Sequence, residues 1–319
     1  MQNILILFLF IIFSQMSCAQ TAGDKPQQIG DIFLPEGDAI EVKEWVKNLE
    51  IPWSLLFLPD GRALVTERPG RIRLIKDARL QEEPYATIDV AHVGEGGLMG
   101  LALHPEFPKK PYIYVMHTYK IGGELRNRVI RLKDEGLRGV FDRVIIENIP
   151  GGKFHNGGRI AFGPDGMLFI ATGETFHGEL AQNLKSLGGK ILRITPEGNV
   201  PEDNPFKGSP IYSYGHRNPQ GLAWHPFTGD LFESEHGPSG EFGRFAHDEI
   251  NVIKKGGDYG WPAVIGAARL KQYIDPLVVW EKTTPPSGIT FYKGELLKHL
   301  QGDLFIATLR SESLIRIRL

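Results

Sequence analysis

The residues of this chain best suited to proton chemistry begin with His155, in the segment KFHNGGRIAFGPDG. Histidine titrates near neutral pH and is the side chain most often used as a general base. Gly157 and Gly158 separate it from the apolar run 160–162, and paired glycines are typical of backbone that another group approaches closely. From these residues alone, His155 either packs at the entrance of a buried strand or acts as a base there.

Arg217 and Asn218 form a second polar group, in the segment YGHRNPQGLAWHP. They stand directly before another apolar run, as His155 does. An arginine fork suits a carboxylate or a developing oxyanion, although the same side chain often bonds loop carbonyls. The sequence therefore leaves Arg217 either in an anion site or in a structural role.

Oxygen ligands for a hard cation come from the segment SEHGPSGEFGRFAHDEINVIKKGGDYGWP. The turn at Gly237 and Pro238 presents main-chain carbonyls, and Glu249 and Tyr259 lie on either side of a predicted strand and turn. Calcium binds carboxylate and carbonyl oxygens. The sequence has no HExxH and no CxxC pattern, which argues against zinc and thiol chemistry. The glycines of GEGGLMG are not followed by the helix of a phosphate-binding loop.

A repeated pattern of short strands must position these residues. Each copy has an apolar strand, a turn rich in Pro, Asp or Gly, and a second strand that ends in small or polar residues. The copies, the last of them partial, are LLFLPDGRALVTER (55–68), GLALHPEFPKKPYIYVMHT (100–118), RIAFGPDGMLFIATGE (159–174), GLAWHPFTGDLFESEHG (221–237) and LQGDLFIATLR (300–310). Their turn prolines recur at roughly 45 to 65 residues, close to the period of propeller blades. This pattern favours a β-propeller over a β-sandwich.

The composition agrees with an all-β fold. The 38 glycines and 22 prolines indicate many turns. In a propeller, loops of different blades meet at one face around a central channel, so residues far apart in sequence can form one site. The formal net charge of -2 gives no basis for a nucleic-acid partner.

The N-terminus predicts export. Residues 4–13, ILILFLFIIF, form an apolar run too short for a stable membrane anchor and typical of a signal-peptide core. We predict a signal peptide or lipoprotein signal over 1–19, a linker over 20–39 and a propeller domain over 40–319. Cys18, the only cysteine, either lies in an ordinary cleavage site or is the acylated first residue of a bacterial lipoprotein. Either route places the chain in the periplasm or on a lipid anchor at the outer or inner membrane, without a disulfide.

Taken together, these motifs resemble the soluble, PQQ-dependent aldose sugar dehydrogenases of the glucose/sorbosone dehydrogenase family. The resemblance covers about residues 40–319 and follows the family's order. The matching segments are IPWSLLFLPDGRALVTERPGRIRLI, EGGLMGLALHPEF, HNGGRIAFGPDG, GHRNPQGLAW, SEHGP, DEINVI and GGDYGWP. It implies a six-bladed β-propeller with pyrroloquinoline quinone (PQQ) over the axial channel and an aldose sugar as substrate. The oligomeric state stays open, with a homodimer as one option.

The resemblance also implies catalytic and cofactor-binding roles. His155 matches the general base that takes the proton from the anomeric hydroxyl while the C1 hydride passes to the quinone. Arg217 and Asn218 match positions that contact the cofactor, and Arg217 would favour the negative charge that develops on it. Arg310, in ATLRSESL, falls where the family usually has a basic cofactor contact.

Two calcium sites are implied in the same way. Gly237 and Pro238 match the pair whose carbonyls hold a calcium ion beneath the cofactor, where it would act as a Lewis acid. Glu249 and Tyr259 match ligands of a second, structural calcium.

Two features depart from the family pattern. Glu95, in GEGG, stands where some members have a glutamine that contacts the quinone. A carboxylate there repels an anionic cofactor unless it is protonated or turned towards a cation. Only five turn-strand copies are found, and the family's final repeat does not follow SLIRIRL. We therefore expect a six-bladed fold with an incomplete last blade.

The leading prediction is an exported quinoprotein that oxidises the C1 hydroxyl of aldoses to lactones and passes electrons to an external acceptor. One alternative is a calcium-dependent, lactonase-type propeller hydrolase, which needs several carboxylates and Asn at the axis and no quinone. The other is a binding propeller that has kept the scaffold and lost the chemistry, which the short C-terminal region favours.

Overall fold

The computed structural model describes residues 44–319, which form an all-β fold of five antiparallel sheets. The predicted signal over 1–19, with Cys18, and the predicted linker over 20–39 lie outside the described residues. Within residues 44–319, no helix has the length and apolar character needed to cross a membrane.

Twenty strands, numbered in chain order, build the five sheets. The first sheet contains β1 (Pro52–Phe57), β2 (Ala63–Glu67), β3 (Arg71–Lys76), β4 (Arg79–Leu80) and β5 (Ala86–Thr87). The second contains β6 (Leu98–Leu103), β7 (Tyr112–Ile121), β8 (Glu124–Asp134) and β9 (Gly139–Pro150). The third contains β10 (Ile160–Phe162), β11 (Leu168–Thr172), β12 (Lys190–Ile194) and β13 (Ile211–Tyr214).

The fourth sheet contains β14 (Pro219–Trp224), β15 (Leu231–Glu235), β16 (Asp248–Ile253) and β17 (Val278–Trp280). The fifth contains β18 (Pro286–Phe291), β19 (Leu304–Thr308) and β20 (Leu314–Ile317). Helix is limited to single turns in the described residues: α1 (Glu179–Gln182) and two 3-10 helices, Glu241–Gly243 and Lys298–Leu300.

Each sheet is a meander in which successive strands pair, apart from β5, which pairs with β3. The repeats seen in the sequence correspond to the first two strands of the first four sheets, and the partial copy contains β19. The first strands of neighbouring sheets contact one another in the order β1, β6, β10, β14 and β18, so they form the inner strands of the fold. The prediction of an all-β propeller is confirmed.

The number of blades differs from the prediction. Residues 44–319 form five sheets rather than six, and the fifth has three strands. The five sheets agree with the five repeats counted in the sequence, whereas the number six came from the family resemblance. The six-bladed prediction is therefore not confirmed.

Hydrophobic clusters fill the spaces between successive sheets. One cluster joins the first and second sheets, another the second and third, a third the third and fourth, and a fourth the fourth and fifth. Successive side chains of each strand point to opposite faces of its sheet, so each sheet offers an apolar face to each neighbouring sheet. This packing fixes the angle between sheets and therefore the positions of the loops at their ends.

Trp280 tests this packing between the fourth and fifth sheets. Its side chain is buried in the hydrophobic cluster that also contains Phe291, Leu304 and Ile306. We expect Trp280→Ala to lower the free energy of unfolding by about 3–5 kcal/mol, because the substitution leaves a large cavity. Urea denaturation would measure the change, with Trp45→Ala, at an exposed tryptophan, as a control. Equal losses for both variants would contradict this account.

The antiparallel meander also decides which loops share a face. In each sheet the segment before the first strand and the loop between the second and third strands lie at the same end, because neighbouring strands run in opposite directions. We call this end the site face. Its loops include 88–97, 151–159, 173–189, 215–218, 236–247 and 309–313.

Candidate active site on the site face

His155 and Glu174 form a buried pair on the site face. His155 lies in the loop before β10 and Glu174 follows the end of β11. The distance from His155 Nδ1 to Glu174 Oε1 is 2.5 Å. An ionised carboxylate can only accept, so a neutral imidazole paired with it carries its proton on Nδ1 and keeps the lone pair on Nε2. Glu174 Oε2 is buried and has no hydrogen-bond partner within residues 44–319.

The loop of His155 is held in a strained conformation. His155 has a φ of 51°, a left-handed value that costs on the order of 1–3 kcal/mol outside glycine. Its N–H donates to Glu95 Oε2 over 2.8 Å, and its carbonyl accepts from the N–H of Thr175 over 3.1 Å. These two bonds fix the imidazole against its carboxylate partner.

Glu95 therefore has a structural partner that the sequence did not predict. Its carboxylate is turned towards the main-chain N–H of His155. A cation, Arg68, lies close enough that the Glu95 charge partly offsets the lowering of the Arg68 pKa by burial. The N–H bond and the nearby cation reduce the repulsion expected between Glu95 and an anionic cofactor. Its direct contact with a cofactor stays a prediction.

The two glycines after Asn156 are approached closely, as predicted, but by the protein's own backbone and core. A Cβ at Gly157 would lie 2.5 Å from the carbonyl oxygen of Ala171. A Cβ at Gly158 would lie 2.7 Å from Met99 Sδ. Asn218 secures the same turn, since its Oδ1 accepts from the N–H of Gly157 over 3.1 Å.

Arg217 is a buried cation beside this pair. Its carbonyl accepts from the N–H of Glu174 over 2.9 Å, which ties the two loops together. Its guanidinium donates to the carboxylate of Glu241 through Nε and Nη2, and to the carbonyl of His236 through Nη1. Burial alone would raise the pKa of Glu241, but the bonds from Arg217 hold that pKa below its ordinary value. An anion that reaches Arg217 must therefore exchange with Glu241.

The four predicted calcium residues meet at one small cavity. Gly237, Pro238, Glu249 and Tyr259 all line a space of about 20 Å³, together with Arg217. A cavity of about 10–15 Å³ already holds one water molecule, so this space fits a single ion or water. The family resemblance assigned these residues to two ions, and the fold brings all four to the lining of one cavity.

A group of buried carboxylates adjoins the cavity. Glu235, on β15, lines the cavity and lies opposite Glu249 on β16. Two residues further along the same pair of strands, Glu233 lies opposite Asn251. Burial, followed by the charge of Glu235, raises the pKa of Glu249 to about 8 and that of Glu233 well above its ordinary value. His216 completes the group, and its ligand atom and those of Glu233 and Glu235 lie within 4.8 Å of one another.

The donor chemistry of this group fits a hard cation. Glu233 Oε1 and Asn251 Oδ1 are buried and have no hydrogen-bond partner within the described residues. Both atoms are oxygens, and the carboxylates of Glu235, which is buried, and Glu249, which is half-buried, lie on the same pair of strands. Such an excess of oxygen acceptors is what calcium prefers and what a cation would relieve.

Arg310 is placed on the site face but apart from the buried groups. It lies in the loop between β19 and β20 and is exposed to solvent. Neither His155 nor Arg217 has Arg310 among its hydrogen-bond partners in the described part of the chain. The role of Arg310 stays a prediction.

Several residues of the site were missed by sequence reasoning. Glu174 and Glu235 follow or end the second strand of their repeats, where the site face begins, so the repeat itself held the signal. Glu241 gave no signal, because its pairing with Arg217 depends on a turn within an irregular loop.

The site-face loops bring together a histidine paired with a carboxylate, a buried arginine and a cavity lined by oxygen atoms. These features define the protein as a β-propeller with an enzyme-like site. A model of the Glucose / Sorbosone dehydrogenase family matches residues 49–319. The chain belongs to the glucose/sorbosone dehydrogenase family.

Relatives of known sequence and structure agree with this assignment. An aldose sugar dehydrogenase of Escherichia coli K12 is 32% identical over 86% of this chain and 80% of its own length. The quinoprotein glucose dehydrogenase B of Acinetobacter calcoaceticus is 32% identical over 79% of this chain and 58% of its own length.

Two solved structures extend the comparison. The PQQ-bound aldose sugar dehydrogenase of Streptomyces coelicolor is 38% identical, with a TM-score of 0.76 over 87% of this chain and 80% of its own. A putative glucose dehydrogenase of Thermus thermophilus is 54% identical, with a TM-score of 0.80 over 86% of this chain and 81% of its own.

Proposed function

We propose that this protein is a PQQ-dependent dehydrogenase that oxidises the C1 hydroxyl of aldose sugars to the lactone. The observation that carries the proposal is the buried pair of His155 and Glu174 beside Arg217, in a chain of this family. A carboxylate-oriented imidazole is the arrangement that general-base removal of a hydroxyl proton requires.

His155 performs the proton step. The carboxylate of Glu174 holds the proton on Nδ1, so that Nε2 is the basic atom that faces the sugar. As Nε2 takes the proton of the C1 hydroxyl, positive charge develops on the imidazole and Glu174 stabilises it. The C1 hydride leaves with its electron pair, and the C1–O bond becomes the carbonyl of the lactone.

The implied cofactor and ion have suitable residues. His155, Arg217, Asn218 and Arg310 would contact PQQ, which when bound supplies the acceptor for the hydride and later passes electrons to an external acceptor. Arg217 would exchange Glu241 for an anionic group of the cofactor. Calcium would be held at the cavity of Gly237, Pro238, Glu249 and Tyr259, where the oxygen donors suit it.

The site of action is also part of the proposal. The apolar run 4–13 supports export, and Cys18 offers a site for a lipid anchor. The protein would then meet its sugar and its electron acceptor in the periplasm or at a membrane surface.

Reduction of an artificial dye tests the function. The purified chain is loaded with PQQ and calcium and offered a panel of aldoses, and dye reduction with lactone formation is expected. Lactone hydrolysis without PQQ would instead favour the hydrolase alternative. Failure to bind PQQ, together with a lack of dye reduction, would contradict the proposal and favour the binding propeller.

Calcium should stabilise the protein more at alkaline than at acidic pH. Without a cation, the raised Glu249 pKa of about 8 means that the folded state holds a proton which the unfolded state, near 4.5, has lost. The contribution of Glu249 to stability is therefore fully present below pH 4.5 and is lost as the pH rises through 8. A calcium concentration 100-fold above Kd adds about 2.7 kcal/mol.

Melting temperatures in calcium and in chelator, near pH 5 and near pH 8, would measure this difference. Magnesium is the matched control, because it demands tighter octahedral geometry. A calcium effect that is equal at both pH values, or equal to that of magnesium, would contradict the assignment of these carboxylates.

A further inference from the structure

A buried lysine lies at the end of the loop that carries Glu174. Lys190 is the first residue of β12, and it is fully buried. Its Nζ donates to the carbonyl oxygens of Leu180, Ala181 and Gly188 over 2.7, 2.9 and 2.7 Å. An ammonium group has three hydrogens to donate and no acceptor, so these carbonyls satisfy it completely. We call Lys190 and the three carbonyls the ammonium clamp.

Burial makes this cation costly to keep. It lowers the pKa of Lys190 to about 7, and the charge of Asp258 offsets that shift only in part. The Asp258 carboxylate accepts instead from Gln182 Nε2 and from the N–H of Gly260, both over 2.9 Å. A linear apolar side chain would fill the same space without the cost of desolvating a charge. The bonds made by the ammonium group are therefore the feature that distinguishes lysine at this position.

The ammonium clamp joins parts of the loop that are separated along the chain. Leu180 and Ala181 belong to α1, a single turn too short to satisfy its own carbonyls. Gly188 lies near the end of the loop, beside Gly189, whose φ of 67° is a left-handed value that favours glycine. Lysine side chains near the end of a helix can bond its last carbonyls. Here one ammonium group holds both α1 and the chain that returns to β12.

Two main-chain hydrogen bonds connect the clamp with Glu174. The N–H of Leu180 donates to the carbonyl of His177, and the N–H of His177 donates to the carbonyl of Glu174, both over 2.9 Å. The Oε1 atom of Glu174 is in turn bonded to Nδ1 of His155. A shift of α1 would therefore move the carboxylate that orients the imidazole.

The same clamp supports the loop that carries Arg217. The carbonyl of Ala181 accepts a second bond, from the N–H of Gly215, over 3.0 Å. The carbonyl of Gly189, next to the buried lysine, accepts from the N–H of His216 over 3.2 Å. These two donors directly precede Arg217 in the chain. The two loops that supply the candidate site therefore meet at one buried ammonium group.

We propose that Lys190 is a positioning residue whose ammonium group holds the loop of Glu174 against the loop of Arg217. It contacts no reacting atom and acts through Glu174, which it keeps in place beside His155. The clamp is a property of the fold, whereas its effect on turnover rests on the proposed sugar oxidation.

Hydrogen exchange on the full chain without cofactor tests the clamp. Lys190→Met keeps a linear apolar side chain and removes the ammonium group. The amides of Glu174, Gly215 and His216 are expected to exchange faster by about 10-fold or more, because their loops open more often. The amide of Gly166, in the turn at the opposite end of the third sheet, should be unchanged.

Lys185→Met is the matched control, because it removes an exposed lysine from the same loop. It should leave the exchange of all these amides unchanged. Circular dichroism of each variant shows whether the fold is kept.

A second variant separates the ammonium group from packing. Lys190→Ala removes the atoms from Cγ to Nζ, and n-propylammonium supplies the same atoms as a free cation. Added n-propylammonium should restore slow exchange in Lys190→Ala, whereas 1-propanol, a neutral molecule of similar shape, should not. The comparison also serves if Lys190→Met fails to fold, because the alanine variant can be refolded with either additive.

Dye reduction tests the effect on the reaction in the protein loaded with PQQ and calcium. Lys190→Met is expected to lower kcat for glucose by about 10- to 100-fold, because a small displacement of Glu174 misplaces the base. KM for glucose should change little, since Lys190 has no contact with the sugar in the proposed mechanism. Lys185→Met should keep a normal kcat.

The outcomes separate this inference from the proposed function. Unchanged exchange in Lys190→Met, or equal rescue of Lys190→Ala by 1-propanol, would overturn the clamp. Faster exchange with normal turnover would overturn the positioning role and leave the dehydrogenase standing. Faster exchange that only n-propylammonium reverses, in a protein whose unmodified form oxidises no sugar, would support the clamp and contradict the dehydrogenase.

Discussion

His155→Ala is expected to lower kcat for glucose by about 100- to 10,000-fold, the range that general-base catalysis contributes. The substitution removes Nε2, the atom that takes the C1 hydroxyl proton in the proposed mechanism. Among the described residues, the other imidazole paired with a buried carboxylate, that of His216 with Glu235, lies in a different loop. The measurement is steady-state dye reduction by the protein loaded with PQQ and calcium.

Two controls separate a lost base from a lost fold. His299→Ala changes an exposed histidine of the 3-10 helix Lys298–Leu300, in a loop at the opposite end of its sheet, and should keep normal turnover. Added imidazole should restore part of the activity of His155→Ala by occupying the space of the missing ring. If His155→Ala retains turnover within a few-fold of the unmodified protein, His155 is a packing residue.

Glu174→Gln is expected to lower kcat by about 100- to 10,000-fold while KM for glucose changes little. The amide has nearly the shape of the carboxylate, but its NH2 group can donate to Nδ1. This favours the tautomer with the proton on Nε2, which cannot act as a base. Because Glu174 acts through His155 and has no contact with the sugar in this mechanism, the loss should fall on kcat.

Nitrogen-15 chemical shifts of the His155 ring provide a readout that a purely structural role would not move. They should report a proton on Nδ1 in the unmodified protein and a change of tautomer in Glu174→Gln. Turnover near that of the unmodified protein, with an unchanged tautomer, would remove Glu174 from the mechanism.

The substitution Glu174→Gln should lower activity without lowering stability. Glu174 is buried, and its Oε2 has no hydrogen-bond partner in the described part of the chain. A buried carboxylate with one oxygen left without a partner costs stability. We therefore expect Glu174→Gln to melt at the same or a higher temperature than the unmodified protein. In the proposed mechanism the carboxylate is kept because the base requires it.

The sequence by itself determined the scaffold and the first half of the site. Alternating apolar residues and regularly spaced turns predict antiparallel strand pairs, since both signals are local and come from strand geometry. The position of His155 just before a repeated strand placed it at a loop on one face of the fold. The match of several ordered motifs then identified the family, and the family model confirms it.

The tertiary structure decided the partners. The pairing of His155 with Glu174, of Arg217 with Glu241 and of Glu235 with Glu249 depends on how loops and strands meet after folding. The number of sheets formed also follows the copies present rather than the family pattern. Local sequence sets the direction of each strand, but only packing between sheets sets the distances between side chains that lie far apart in the chain. For this reason the candidate base His155 was visible in the sequence, while its carboxylate partner Glu174 was not.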